Sequence, residues 1–342
     1  MKMLLINGDQ GEGGGQILRT SLSLSLCLQR PFRIINIRRR RAKPGLGRQH
    51  LVAVEAAAKV SGAQVEGAEP GSMGLTFVPG PPQPGDYGFE IGSAGSTTLV
   101  LQTLLPALMG LGQASTLRLE GGTHNPMAPP YDFLKQVFSP LLARIGVGLD
   151  ATLERAGFYP AGGGRLKIRI TPAEKLKPLR LLQRGRIQAV EATAVLGNLP
   201  DPIAQRELRV LQERLGLTEA QTRVGYPPCF GRGNALFVAV RSDHITELFS
   251  SFGQRGVRAE KVATDLAEQV SRYLRAEVPV GQHLADQLLL PLALAGGGEF
   301  LTMALDPHTT TNITVIEQFM GIAITAEPQG RDRWLMRVGA SP

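Results

Sequence analysis

Apolar positions along this chain fall into short blocks separated by glycine and proline. Residues 3–6 (MLLI) are a strand-length apolar run, and an apolar helical block starts at Ile17. Between them lies Gln10-Gly11-Glu12-Gly13-Gly14-Gly15-Gln16. The same sequence of elements then recurs. Residues 32–67, 115–150 and 299–327 each read as a strand, an X-Pro turn, a helix of about 15 residues, a glycine break and a strand or hairpin. Their prolines are Pro44, Pro126 and Pro307. A helix precedes each segment: after Gly13-Gly14-Gly15 in the first, after Gly92-Ser93-Ala94-Gly95-Ser96 in the second, and over residues 284–295 in the third. The repeating unit is therefore strand–helix–strand–helix–hairpin, about 80 residues long.

The spacing shows where the repeat is interrupted. Pro44 and Pro126 lie 82 residues apart, Pro126 and Pro307 lie 181 apart, and the excess of 99 residues is the size of a small domain. Its boundaries fall in the Pro/Lys-rich residues 171–178 and at residues 277–279. The expected division is a large repeat domain over residues 1–178 and 279–342, with an inserted small domain over residues 179–278. Within the insert the pattern predicts strand (187–195), helix (202–215), strand (222–225), strand (235–240) and helix (260–274), an α/β sandwich of its own. The expected fold class is α/β, an α+β sandwich of three βαβαββ-type units plus that insert.

Composition changes this picture little. No apolar run reaches the roughly 18 residues of a membrane span, and MKMLLING is too short for a secretory signal, so no membrane association is expected. The two cysteines, Cys27 and Cys229, form neither a disulfide framework nor a zinc pattern, which points to a reducing cytoplasm. The net charge of +8 points to an anionic partner. Arg38-Arg39-Arg40-Arg41-Ala42-Lys43 is its densest run, and a loop there can aim guanidiniums at phosphates or serve as a solvated face.

The first glycine cluster sits at a strand-to-helix junction, where bare N–H groups and the helix N-terminus favour an anion. Glu12 would repel a bare phosphate and suggests an intervening metal ion; a tight turn with a solvated glutamate is the plainer alternative. The cluster lacks the Lys-Ser/Thr of a P-loop. The five histidines show no zinc-ligand spacing. His308, in Asp306-Pro307-His308-Thr309-Thr310-Thr311-Asn312, stands at a helix start among small hydroxyls and is placed to act as base or nucleophile. His124 occupies the comparable turn of the second unit, while His50 is expected to orient or pack. Three equivalent junctions at one end of the molecule would bring Glu12 and Arg19, residues 92–98 with Gln102, and Asp286 with Gln287 to one pocket.

Seven stretches, DQGEGGGQILRTSLSLS, RAKPGLGRQHL, GSAGSTTLVLQTLLPAL, GGTHNPMAPPYDF, GFYPAGGG, HLADQLLLPLALAG and PHTTTNI, resemble the RNA 3'-terminal phosphate cyclase family, in order and over nearly the whole chain. The resemblance implies three repeats with an inserted domain of thioredoxin-like topology. It implies a ligase-type nucleotidyl transfer in which ATP adenylylates a histidine, AMP passes to an RNA 3'-phosphate, and a 2',3'-cyclic phosphate forms. His308 matches the nucleophile, and Glu12 matches a ligand of the divalent ion, Mg²⁺ or Mn²⁺. Arg19 and Arg41 match phosphate contacts. Gln102, His283, Leu284, Ala285, Asp286 and Gln287 match nucleotide-binding positions, with Asp286 suited to ribose hydroxyls and Pro129 to one face of the adenine slot. His283 stands where bacterial members place a stacking tyrosine, so a smaller stacking area is expected. The alternatives are an inactive cyclase-like protein of ribosome assembly, which would lack the nucleophilic histidine, and an enolpyruvyl-type transferase, which would have no reason to carry the insert.

Overall fold

A computed structural model describes residues 3–339. The first unit runs β1 (Leu4–Asn7), α1 (Gly15–Leu28), β2 (Phe32–Ile35), α2 (Arg48–Ser61), β3 (Gln64–Glu66) and β4 (Leu75–Val78). In α1 the apolar Ile17, Leu18, Leu22, Leu24 and Leu26 are buried, and the helix ends at Gln29 in the left-handed region (φ 52°). β2 ends at Ile35, where Asn36 turns left-handed (φ 57°) and breaks the ladder.

The second unit runs β5 (Asp86–Glu90), α3 (Thr97–Leu108), β6 (Ser115–Gly121), then α4 (Tyr131–Phe133) and α5 (Ser139–Arg144), joined by a π-helical turn, and the hairpin β7 (Gly148–Arg155) with β8 (Gly164–Thr171). β8 alternates strictly, with Leu166, Ile168 and Ile170 buried and Arg165, Lys167 and Arg169 outside, so one face of its sheet packs and the other is wet.

The next strand, β9 (Leu179–Leu181), begins just after the expected boundary at residue 178. It pairs in parallel with β14 (Gly298–Thr302), more than a hundred residues later, so it stands outside the inserted segment. Three residues are too few for an alternation to register in the sequence. Between the two strands come β10 (Ile187–Gly197), α6 (Pro202–Leu215), β11 (Thr222–Gly225), β12 (Gly233–Ser242), β13 (Thr246–Phe252), α7 (Ala259–Ala276) and α8 (Gln282–Leu294). After β14 the chain closes with α9 (Pro307–Met320), β15 (Ile324–Pro328) and β16 (Trp334–Val338). The sequence reading missed β13, whose two serines and sparse burial hide its period.

The sheets are ordered β1-β2-β4-β3, β5-β6-β8-β7 and β9-β14-β16-β15. In each, the first two strands are parallel and a hairpin completes the sheet. A fourth sheet, β11-β10-β12-β13, lies in the inserted segment. Its central strand β12 is buried on both faces. Leu236, Val238 and Val240 pack under α6 and α7, whereas Ala235, Phe237 and Ala239 join the main core. Helices α6 and α7 and one face of this sheet enclose a core of their own, and the other face of the sheet packs on the rest of the chain. Among the described residues no helix is long and apolar enough to cross a membrane.

Two buried carboxyls mark the insert. Burial pushes Glu207, which accepts from Asn234 Nδ2 at 3.0 Å, and Glu247 each up to about 7. Glu247 accepts the N–H of Gly281 at 2.7 Å and that of Leu248 at 3.2 Å, tying β13 to the N-terminus of α8. A folded pKa above the unfolded one gives stability that is full below about 4.5 and lost as pH rises through about 7. Urea unfolding of Glu247→Gln is expected to show a gain over the parent at pH 8 that shrinks towards pH 5. A pH-independent difference would show that Glu247 ionises as freely folded as unfolded.

Candidate active site

The N-termini of α1 and α9 meet. Gly11 at the first junction has φ +56°, and a Cβ there would lie 2.1 Å from Thr311 Oγ1, so only glycine lets the loop approach α9. The N–H of Glu12 donates to that same hydroxyl at 3.0 Å. Gly15 opens α1 against the ring of His50, whose Nε2 would sit 2.4 Å from an added Cβ. Gly14 at the N-cap supplies no side-chain acceptor, which leaves first-turn N–H groups of α1 free for an anion.

His308 is the second residue of α9. Asp306 caps that helix by accepting the N–H of Thr309 at 2.8 Å. The His308 side chain is 41% exposed, with Nδ1 2.9 Å from Gln16 Oε1 and 3.8 Å from Glu12 Oε1. Gln16 is held in turn: its Nε2 donates to Asp286 Oδ1. Asp286 is buried, and its two oxygens also accept from Asn312 Nδ2 at 3.0 Å and Gln287 Nε2 at 2.9 Å. A carboxylate only accepts, so the Gln16 amide must turn its oxygen towards His308. Nδ1 then carries the imidazole proton, and the lone pair of Nε2 is left as a nucleophile.

The polar chain continues across the repeat. Arg19 Nε donates to Gln102 Oε1 at 3.2 Å, and Gln102 Nε2 donates to Gln287 Oε1 at 2.9 Å. Burial lowers Arg19 to about 10, with Asp286 and Glu12 pulling the other way, so it stays cationic at neutral pH. Burial raises Asp286 despite the hydrogen bond from Gln16. Thr20, Gln102 and Gln287 each stand five residues after the first residue of α1, α3 and α8. All three line one cleft, together with Arg19, Asp286 and Pro129. Pro129 is fixed there by Thr98, whose hydroxyl donates to its carbonyl at 2.7 Å.

Glu12 forms an ion pair with Arg41, and Arg40 forms one with Asp9, so two of the five basic residues of the run fold back onto the glycine loop. Arg38 donates to Gly45 O at 2.9 Å. His50 accepts the N–H of Gly47 on Nδ1 at 3.1 Å; burial lowers it to about 3, helped by Arg19 and Arg38, so it is a neutral packing group. His124 is buried, with Nδ1 2.8 Å from Thr123 Oγ1, Nε2 3.0 Å from Asp132 and its ring stacked on Phe158, so it has no free nitrogen.

Three of the expected nucleotide-binding positions lie outside the cleft. Leu284 and Ala285 are buried in the main core and do not line the cleft that Asp286 and Gln287 line. The His283 side chain is 82% exposed, 3.8 Å from Asp306, and faces a second recess bounded by Glu247, Gln282 and Met303. The sequence reading missed Gln16 and Asn312 as site residues; the signal was a polar residue held inside an apolar helix.

Among the described residues no group of three His, Cys, Asp or Glu converges as a metal cage. Glu12 is a single oxygen donor beside His308. That suits an ion shared with substrate phosphates, since Mg²⁺ takes one or two carboxylates and fills its shell with phosphate oxygens and water.

The sequence pattern of a protein family described as RNA 3'-terminal phosphate cyclase matches residues 10–326. The chain is 51% identical over 324 residues to a protein of that name from Koribacter versatilis, covering 94% of this chain and 91% of the relative. It is 51% identical over 334 residues to one from Ralstonia nicotianae, with 97% and 96% covered. A third, from Pseudomonas fluorescens, is 50% identical over 329 residues, with 96% of each chain covered.

Proposed function

Because the chain belongs to the RNA 3'-terminal phosphate cyclase family, we propose that it converts an RNA 3'-phosphate to a 2',3'-cyclic phosphate through an AMP adduct on His308. The observation that carries the adduct is the hydrogen-bonded series Asp286–Gln16–His308, which leaves Nε2 bare at the mouth of α9.

His308 Nε2 attacks the α-phosphorus of ATP. The bond to the bridging oxygen breaks, and pyrophosphate leaves with its electron pair. The resulting phosphoramidate passes AMP to an oxygen of the RNA 3'-phosphate, which regenerates the imidazole. The vicinal 2'-oxygen then attacks the activated phosphorus, loses its proton, closes the ring and expels AMP. A phosphomonoester has no good leaving group of its own; adenylylation supplies one, and the neighbouring 2'-hydroxyl reacts at high effective concentration.

Arg19, Arg41 and the first turn of α1 hold the triphosphate, whose charge they neutralise. Gln102 and Asp286 meet the ribose, and the base lies towards Pro129; His283, matched to the base by the family resemblance, faces the second recess and would have to turn to reach it. Glu12 would hold the divalent ion on the phosphates, exchanging its pairing with Arg41 for it; when bound, the ion adds positive charge where negative charge develops. The shared strand order supports three repeats over residues 1–178 and 279–342, with β9 belonging to the third and residues 182–278 inserted. The insert's βαβ–ββα order supports the thioredoxin-like reading.

Incubation with α-labelled ATP and Mg²⁺ is expected to leave label on the protein, in an acid-labile, alkali-stable bond. Absence of label from the parent protein would overturn this route. His283→Tyr is expected to lower the Michaelis constant for ATP through a larger stacking area; an unchanged or higher value would place His283 away from the base.

A further inference from the structure

The β7–β8 loop, residues 156–163, spells AGFYPAGG and contributes no side chain to the cleft. It is locked to the segment after β11 by the N–H of Ala156, which donates to Pro228 O at 2.8 Å. Phe158 turns inward, and a Cβ on Gly233 would lie 2.0 Å from its ring. Tyr159 beside it turns outward, 68% exposed. Across the seam Phe230 is 70% exposed and Tyr226 60%. Among the described residues, these three are the only aromatics in the exposed large apolar set, and all fall on these two adjoining loops.

Phe230 is also backed by charge. The Arg155 guanidinium lies 3.8 Å from its ring centroid, fixed by donation from Nε to Gly163 O at 2.6 Å. Arg165 flanks it, and Arg223 and Arg232 stand exposed on the same segment. Opposing them are Glu120, 2.8 Å from Arg165 and 3.7 Å from Arg155, and Asp201, which accepts from the Tyr226 hydroxyl at 2.9 Å. The surface lies close to the site. A Cβ on Gly162 would sit 2.7 Å from Ser93 O, in the turn before α3. The N–H of Ser96 in that turn donates to Gln49 of α2, at 2.7 Å. The neighbouring residue, His50, abuts Gly15 of the glycine loop.

We propose that Phe230, Tyr159 and Tyr226, with Arg155, Arg223 and Arg232, form the track for the single-stranded RNA leading up to its 3' end, a proposal that rests on the cyclase reading. Exposed rings backed by guanidiniums stack bases of any identity, while the arginines follow the phosphates. That suits an enzyme acting on an end group and not on a sequence.

The test uses the full-length protein with a labelled, 3'-phosphorylated oligoribonucleotide of about 12 nucleotides and a 3'-phosphorylated dinucleotide. Phe230→Ala and Tyr159→Ala are each expected to weaken binding of the long strand about tenfold, and Phe230→Trp to retain it. Adduct formation from ATP and cyclisation of the dinucleotide stay at the parent level, which also shows that the variants are folded. Unchanged binding of the long strand by the double variant overturns the proposal, as does an equal loss on the dinucleotide. A change in self-association with unaltered RNA binding makes the surface a protein interface and overturns it too. A parent protein that binds the long strand through these rings but forms no AMP adduct leaves the track standing and sinks the adenylylation route alone.

Discussion

His308→Ala is expected to abolish the AMP adduct and to lower cyclisation by about 10⁴-fold or more, the scale on which loss of a nucleophile acts. The substitution removes the imidazole that Gln16 orients and little packing, since the side chain is 41% exposed. Asp306 still caps α9 and Thr311 still receives the N–H of Glu12, so the junction keeps its shape. The readout is label retained after denaturation, with the melting temperature measured alongside. Adduct persisting at the parent level would place the nucleophile elsewhere. His50 and His124 are poor substitutes: one packs against Gly15, and the other has both nitrogens engaged.

Asp286→Asn is expected to slow adduct formation by about 10³-fold at saturating ATP, or about 4 kcal/mol in the barrier. Asp286 is buried and receives hydrogen bonds from Gln16, Asn312 and Gln287. An asparagine offers one oxygen where there were two and adds two N–H groups, so some of these donors lose their acceptor. The cheapest repair is for Gln16 to flip, which presents N–H to His308 Nδ1. The imidazole proton then moves to Nε2, and the nucleophilic lone pair is lost. The same substitution removes a negative charge that holds Arg19 protonated. Gln16→Leu deletes the same acceptor and should reproduce most of the loss without touching Asp286. An unchanged rate in both variants would show that the tautomer is set by something else.

Much of this was legible in the chain. The recurrence of Pro44, Pro126 and Pro307 and the glycine-led helices reveal the repeat, because backbone geometry at tight junctions restricts the residue types allowed there. The excess of 99 residues in the proline spacing is the sequence's ground for the proposed insert. β9 escaped because its pairing with β14 is long-range and its three residues carry too little pattern. Leu284 and Ala285 came with the family-matched stretch 283–287, and only the structure shows that their side chains lie in the core.

By itself the sequence determined the family and singled out His308 as the candidate imidazole, since both depend on local residue types and their order. Tertiary structure decided which residues act on that imidazole. Gln16 and His308 are 292 positions apart, and Gln102 and Gln287 are 185 apart, so no local pattern links them. Only the close approach of α1, α3, α8 and α9 sets the direction of a single amide and, through it, the nitrogen on which the proton rests. Orientation of this kind arises from the packing of distant helices, which a linear pattern does not encode.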